Sequence, residues 1–206
     1  MTTDTSFMFQ NGTLRSISRE DMAILPIRRY EGRLSLVSTP QAFEEACGDI
    51  LKETVVGLDT ETRPAFAKGE SYAPCLVQVA TEHAVYLFQL RHPESHPILQ
   101  ELLENPQIVK SGIALAHDLR MLKTVFTFEQ RNVLDLGTVA RRSGCSQTGL
   151  RNLAGLFLDF RIPKGARTSN WAAQNLSTQQ LTYAATDAWA CRELFLRFEI
   201  LGLLEA

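Results

Sequence analysis

Cysteine is scarce in this chain: Cys47, Cys75, Cys145 and Cys191 are widely spaced, with no CxxC pair and no zinc-ligand spacing. That pattern excludes a disulfide framework or a zinc ribbon as the basis of the fold, and fits buried or idle thiols in a reducing cytoplasm. Long apolar runs are missing too. The stretch 194–204 comes closest, but Arg197 and Glu199 interrupt it, and about 20 residues are needed to cross a bilayer. No membrane partner is therefore expected. The opening MTTDTSFMFQ has neither a basic start nor a sustained apolar segment, so no signal peptide is expected. There is no GxSxG elbow, no Walker loop and no GxGxxG after a strand, which removes the usual supports for a serine hydrolase, a P-loop enzyme or a dehydrogenase. Nor is there an excess of charge of one sign: 21 Lys and Arg against 23 Asp and Glu leave a net charge of −2.

What the chain has is apolar material for one proper core, with 45% hydrophobic residues over 206 positions. Its charge is unevenly spread. Positions 110–170 carry ten basic residues against the four acids Asp118, Glu129, Asp135 and Asp159. Such a stretch can attract phosphates even in a mildly acidic protein. The same charges could also sit on helix faces pointing in different directions, and charge alone leaves both readings open.

Residues 1–32 are polar and aperiodic and read as an N-terminal arm, lying against a domain at 33–206 or partly loose. The spacing then predicts a strand over 33–37, a helix capped by Thr39, and a strand over 55–61 whose start is almost wholly apolar. Two more strands, CLVQVAT and AVYLFQL, lie close together across Glu82 and His83 as in a hairpin. Strands and helices then alternate: helix 97–103, strand 108–112, helix 115–126, a strand end at 132–135, and helices over 136–143 and 149–157. A polar loop at 161–170 precedes a long helix that starts at Ser177, whose spacing to Gln180 makes a capping box. Three antiparallel strands followed by alternating elements indicate an α/β or α+β layer fold with a mixed sheet.

Asp59 and Glu61 are two apart on a strand, so both side chains leave the same face. Paired acids are costly unless a cation offsets their repulsion, and hard oxygen ligands suit Mg²⁺ or Mn²⁺. The bland reading is that one caps a turn and the other is solvated. Tyr183 and Asp187, four apart on a helix, share one face, though a core aromatic and a surface acid would show the same spacing. Asp118 begins an amphipathic helix carrying Leu115, Leu119 and Leu122, where an acid is also favoured by the helix dipole. His117 reads as a surface residue, Asp135 as the cap of the helix near Leu136, and Trp171 as a packing anchor.

In order, DTE at Asp59–Glu61, K-x-G-x5-D from Lys110 to Asp118, and Y-x3-D from Tyr183 to Asp187 resemble the three motifs of the DEDDy branch of the DEDD 3′→5′ exonucleases. That branch includes the ribonuclease D and Werner-syndrome exonuclease types. The resemblance runs from about 34 to 201, and TSNWAAQNLSTQQLTYAATDAW is similar to the Werner type in particular. It implies an RNase H-like fold, three antiparallel strands plus parallel strands flanked by helices, with the acids at its centre. It also implies metal-dependent hydrolysis of phosphodiester bonds at 3′ ends, releasing nucleoside 5′-monophosphates. Two divalent cations, Mg²⁺ or Mn²⁺, would be held by Asp59, Glu61, Asp118 and Asp187. Asp59 would bridge them, Glu61 and Asp187 would complete the ion that activates water, and Asp118 would help hold the other. Tyr183 would orient the water.

The implied partner is a nucleic acid with a single-stranded or recessed 3′ end. The motifs do not separate RNA from DNA, because the phosphoryl chemistry ignores the sugar until a 2′-OH is contacted. Lys164, Arg167 and Asn170 are candidate backbone contacts, and Phe66 a candidate stacking surface, against a mobile charged loop and a buried Phe. Any processivity would come from the domain, the arm, self-association into a homo-oligomer, or a partner. A catalytically silent nucleic-acid-binding module on the same fold is the alternative. Loss of an acid or of Tyr183 would favour it, and all five are present.

Overall fold

The computed structural model describes residues 16–67 and 69–205. Six strands form one sheet: β1 (Arg33–Val37), β2 (Val55–Thr62), β3 (Pro74–Ala80), β4 (Ala84–Gln89), β5 (Val109–Gly112) and β6 (Val133–Asp135). Their spatial order is β1-β4-β3-β2-β5-β6. β2, β3 and β4 pair antiparallel, while β1 on β4, β5 on β2 and β6 on β5 pair parallel. This is the mixed sheet that the sequence predicts.

Strand alternation divides the core into two layers. Val56, Leu58, Val77, Val79, Tyr86 and Phe88 face α2 (Pro40–Ile50), α3 (His96–Glu104) and α4 (Leu115–Leu122). Leu76, Ala80, Val85 and Leu87 face the long helix α7 (Thr178–Ile200). Beside it, α5 (Leu136–Arg142) and α6 (Leu150–Leu158) pack on Val55 and the second half of α7. With both faces covered, the strands carry near-continuous apolar runs, and β4 is buried at every position.

The start of α7 is set by the capping box, in which Ser177 and Gln180 each satisfy the other's backbone N–H. Its height above the sheet is set by Gly57. A Cβ at that position would lie 2.0 Å from the carbonyl oxygen of Ala188 and 2.8 Å from the amide nitrogen of Arg192. The helix backbone thus rests directly on β2, with Ala184, Ala185 and Ala188 buried along the contact.

Three expectations are corrected. The helix predicted over 115–126 ends at Leu122, where the Lys123 N–H turns back to the carbonyl of Leu119. The run Thr124-Val125-Phe126-Thr127 is β-branched and aromatic, which disfavours helix continuation. The arm is not aperiodic throughout: α1 (Arg19–Ile24) follows Ser18, whose hydroxyl accepts from the Asp21 N–H. Past α1 the chain is strapped to the domain, for Arg161 N–H donates to Pro26, Arg28 N–H to Arg161, and Tyr30 N–H to Thr186 Oγ1. Residues 1–15 of the expected arm lie outside the described residues. Finally, Lys110 is no part of a basic surface. It is fully buried, its Nζ donates to the Asn105 carbonyl at 2.7 Å, and burial lowers its pKa to about 8. Among the described residues, no helix is long and apolar enough to cross a membrane.

Candidate active site

β2 carries Asp59 and Glu61 to its C-terminal end on the α7 face, where the β2–β3 register shifts between Glu61 and Thr62. Regular pairing of β2 with β3 thus breaks beside the site. From above, α7 brings Asp187. Oxygen atoms of Asp59, Glu61 and Asp187 all lie within 4.8 Å of one another. Glu61 and Asp187 are buried and Asp59 is partly so.

Asp118 reaches the site from the opposite layer. It sits on α4, which the chain enters through Ala114 in the left-handed region at φ 57°. It stands outside the cluster of three, yet its negative charge raises the pKa of both Asp59 and Glu61. Thr60 points to the α4 side of β2, and its hydroxyl, otherwise unpartnered, lowers Asp118.

All four acids are displaced upward. Burial is the largest cause for Glu61, followed by the charges of Asp59 and Asp187, and together they push it up to about 10. Burial and the Asp187 charge hold Asp59 well above the carboxylate range. Asp187 rises to about 6 through burial, against a hydrogen bond from Tyr183 and the charge of Arg151. Burial also raises Asp118. Carboxylates crowded in this way repel one another unless protons or cations stand between them. Among the described residues, none of the three clustered acids is in a salt bridge.

Tyr183 donates to Asp187 one helical turn away, and burial with the Asp187 and Glu61 charges raises the phenol above its ordinary value. It is therefore a neutral hydrogen-bond donor. Gly165 explains how the loop at 161–170 approaches it, since a Cβ there would lie 2.3 Å from the Tyr183 ring. Trp171 stands against the other part of the ring, centroids 6.1 Å apart, and is itself buried with its Nε1–H on the Arg167 carbonyl.

The remaining candidates fall into two groups. Phe66 is 87% exposed and lines a groove of about 500 Å³ with Arg63, Pro64, Asn170 and Ala172. Lys164 instead lines a cavity of about 300 Å³ behind Tyr183, with Arg29 and Gly165. Arg167 is exposed and its charge partly offsets the rise of Glu61. His117 is an exposed residue hydrogen-bonded to Arg120, and Asp135 caps α5 by accepting from the Thr138 N–H at 3.0 Å. Sequence reasoning missed Arg29, which belongs to the strap, and Arg63, whose guanidinium lies over the Tyr72 ring at 4.5 Å. Its place just after the acids on β2 was the available signal.

A family model described as 3′-5′ exonuclease matches residues 34–201. The chain is 31% identical over 164 residues to a ribonuclease D of Haemophilus influenzae, covering 78% of this chain and 40% of that protein. It is 30% identical over 189 residues to a 3′-5′ exonuclease of Arabidopsis thaliana, covering 82% and 65%. It thus spans about two fifths of the length of the ribonuclease D relatives, 42% and 40% in two of them. Among solved structures, the Aedes aegypti Nibbler EXO domain superposes with a TM-score of 0.73 at 24% identity, over 86% of this chain and 91% of that one. The six-stranded mixed sheet with flanking helices is the RNase H-like fold of these structural neighbours.

Proposed function

This chain belongs to the 3′-5′ exonuclease family, and on that premise we propose that it hydrolyses the terminal phosphodiester at nucleic-acid 3′ ends, releasing nucleoside 5′-monophosphates. The observation that carries the reading is the acidic cluster: oxygens of Asp59, Glu61 and Asp187 within 4.8 Å, buried enough to raise all three, and free of any salt bridge among the described residues. Such a donor set fits hard divalent cations, which neutralise the crowding and prefer carboxylate oxygens. Two such ions, Mg²⁺ or Mn²⁺, supply an activated hydroxide and stabilise the charge on the leaving oxygen when bound.

The residues of the chain then have distinct tasks. Asp59 would be a ligand of the cations, next to Glu61 and Asp187. Glu61 and Asp187 would help hold the cation that activates water, and Asp118, from the opposite layer, would help hold the other. Tyr183 orients the attacking water through its hydroxyl, held in place by Asp187, Gly165 and Trp171. Arg167 offers positive charge beside Glu61, and Lys164 offers it in the cavity beside Tyr183. Phe66 and Asn170 share a groove in which a base can lie on the exposed ring. The strap at 16–32 braces the loop that carries Lys164, Gly165 and Arg167, and belongs with the domain in function.

The test is a time course on 3′- and 5′-labelled RNA, DNA and recessed duplex with Mg²⁺, Mn²⁺ or EDTA, with Asp59→Ala beside the wild type. A metal-dependent ladder shortening from the 3′ end, absent in the variant, is expected. Binding without cleavage of any substrate would overturn the reading in favour of a silent binding module.

A further inference from the structure

Gln78 is fully buried on β3, directly opposite Asp59 in the β2–β3 register. Residues opposite each other in an antiparallel pair project from the same face, so Gln78 lies beside Asp59 under α7. Its nearest other neighbours on that face are Leu76 and Ala80 along the strand and Leu87 across on β4, with Glu61 and Gln89, each opposite Leu76, one diagonal step away. Ala184, Ala185 and Ala188 of α7 belong to the same apolar layer. Within it, both amide atoms of Gln78, Nε2 and Oε1, are buried without a hydrogen-bond partner.

A hydrocarbon of the same shape would fill this place at no such cost, because a buried donor left unpaired destabilises the fold whereas an apolar replacement does not. Packing therefore gives no reason for an amide here. The acceptor directly opposite it in the sheet is the Asp59 carboxylate, while Glu61 lies one diagonal step away and the Gln89 amide is already turned to the Ala173 carbonyl. A carboxylate that ligates a cation is anionic, and it takes a stronger hydrogen bond from an N–H than a neutral acid does. Ligands of this kind are usually oriented by a partner behind them.

We infer that Gln78 is a positioning residue of the metal site, its Nε2–H donating to the Asp59 carboxylate when that carboxylate holds a divalent cation. This rests on the metal-site reading above, and the amide is drawn into use by cation binding.

The test compares wild type with Gln78→Met, whose unbranched thioether side chain is close to glutamine in shape. Without added cation, the melting temperature of the variant should equal or exceed that of the wild type. In calorimetry with Mn²⁺ alone and no nucleic acid, its affinity should fall about tenfold or more, and turnover should fall with substrate KM unchanged. Mn²⁺ affinity within twofold of wild type, or a loss of melting temperature in the cation-free variant, would overturn the inference. A second measurement uses the wild type only: its Gln78 side-chain amide resonance should shift on titration with Mg²⁺, and an unmoved resonance would count equally against it. A wild type that binds Mn²⁺ while Gln78→Met binds it as well removes only the role of Gln78. A wild type that binds none removes the metal site as a whole.

Discussion

Gly57 lies so close beneath Ala188 that a Cβ on it would sit 2.0 Å from the Ala188 carbonyl oxygen. Ala188 is the residue after Asp187, so this contact sets the height of the acid above Asp59 and Glu61. Gly57→Ala must lift α7 or bend β2. We expect a stability loss of about 1–3 kcal/mol, the usual cost of overpacking, together with at least a tenfold loss of hydrolysis. Gly48→Ala serves as the control. A Cβ there meets nothing within 4 Å, the position is helical, and the change should stabilise by up to about 1 kcal/mol. Melting curves and rates for both variants check the contrast, and equal behaviour of the two would dismiss it.

Removing Asp59 separates the fold from the chemistry. Its negative charge raises Glu61, and it is itself held up by burial and by Asp187. In Asp59→Ala one source of repulsion is gone, so the cation-free protein should melt at or above the wild-type temperature while hydrolysis falls to background. Activity within a few-fold of wild type would defeat the assignment of Asp59 to the metal site.

The same displaced acids set the response to pH. An acid whose pKa is higher folded than unfolded binds more protons in the native state, so stability falls as pH rises between the two values. For Asp187 that window runs from the ordinary 3.8 to about 6, and for Glu61 from 4.5 to about 10. The cation-free protein should therefore melt lower at pH 8 than at pH 5. Divalent cation should reverse the trend, because ligation needs the anionic acids and so tightens with pH. Thermal scans at several pH values, with Mg²⁺ or EDTA, measure both slopes. A cation-free stability that rises from pH 5 to pH 8 would contradict the burial of the cluster.

Exposure takes Phe66 out of the core, and its proposed role is to stack on substrate. Its ring is 87% exposed in the groove shared with Asn170 and Arg63. Stacking one base on such a ring is worth about 1–3 kcal/mol. Phe66→Ala should raise KM by roughly tenfold or more on that scale, with melting temperature and kcat unchanged. A fall in melting temperature instead would mean that the ring packs in the fold.

Much of this could be read from local pattern. Strand alternation put Asp59 and Glu61 on one face, helical spacing did the same for Tyr183 and Asp187, and the Ser177 capping box marked the start of α7 correctly. Asp135 and Trp171 also behave as read, one as a helix cap and one as a buried anchor. What could not be read depends on which strand lies beside which. Nothing within β3 says that Gln78 will face Asp59, because that follows from register with a strand far away in sequence. The need for glycine at 57 arises only once α7 lies across β2. Lys110 looked like one more surface cation until its backbone was placed in the central sheet. The short α1 was signalled by Ser18 and the acids Glu20 and Asp21, but no residue of it is buried, so no apolar period marked it.

Tyr183 gives the sharpest test of the proposed mechanism, because its hydroxyl is joined to Asp187, one of the proposed ligands. The Tyr183 hydrogen bond lowers Asp187, opposing the rise due to burial. Tyr183→Phe removes that donor while leaving the ring against Gly165 and Trp171, so the fold should be kept. Two effects follow. On the proposed mechanism water loses its orienting group, and kcat should fall roughly 10²-fold or more with little change in KM. Asp187 also loses a partner that lowers its pKa, so protons compete better with the cation for it and the acidic limb of the pH–rate profile moves to higher pH where Mg²⁺ is limiting. The direction of that move matters more than the size of the rate loss. A tyrosine acting as a general base would instead make the wild-type rate climb with pH toward its raised pKa, a climb that the variant would lose, and a purely structural tyrosine would lower the melting temperature without moving either limb. Melting curves and pH–rate profiles of wild type and variant from pH 5 to pH 10, with limiting Mg²⁺, separate the three.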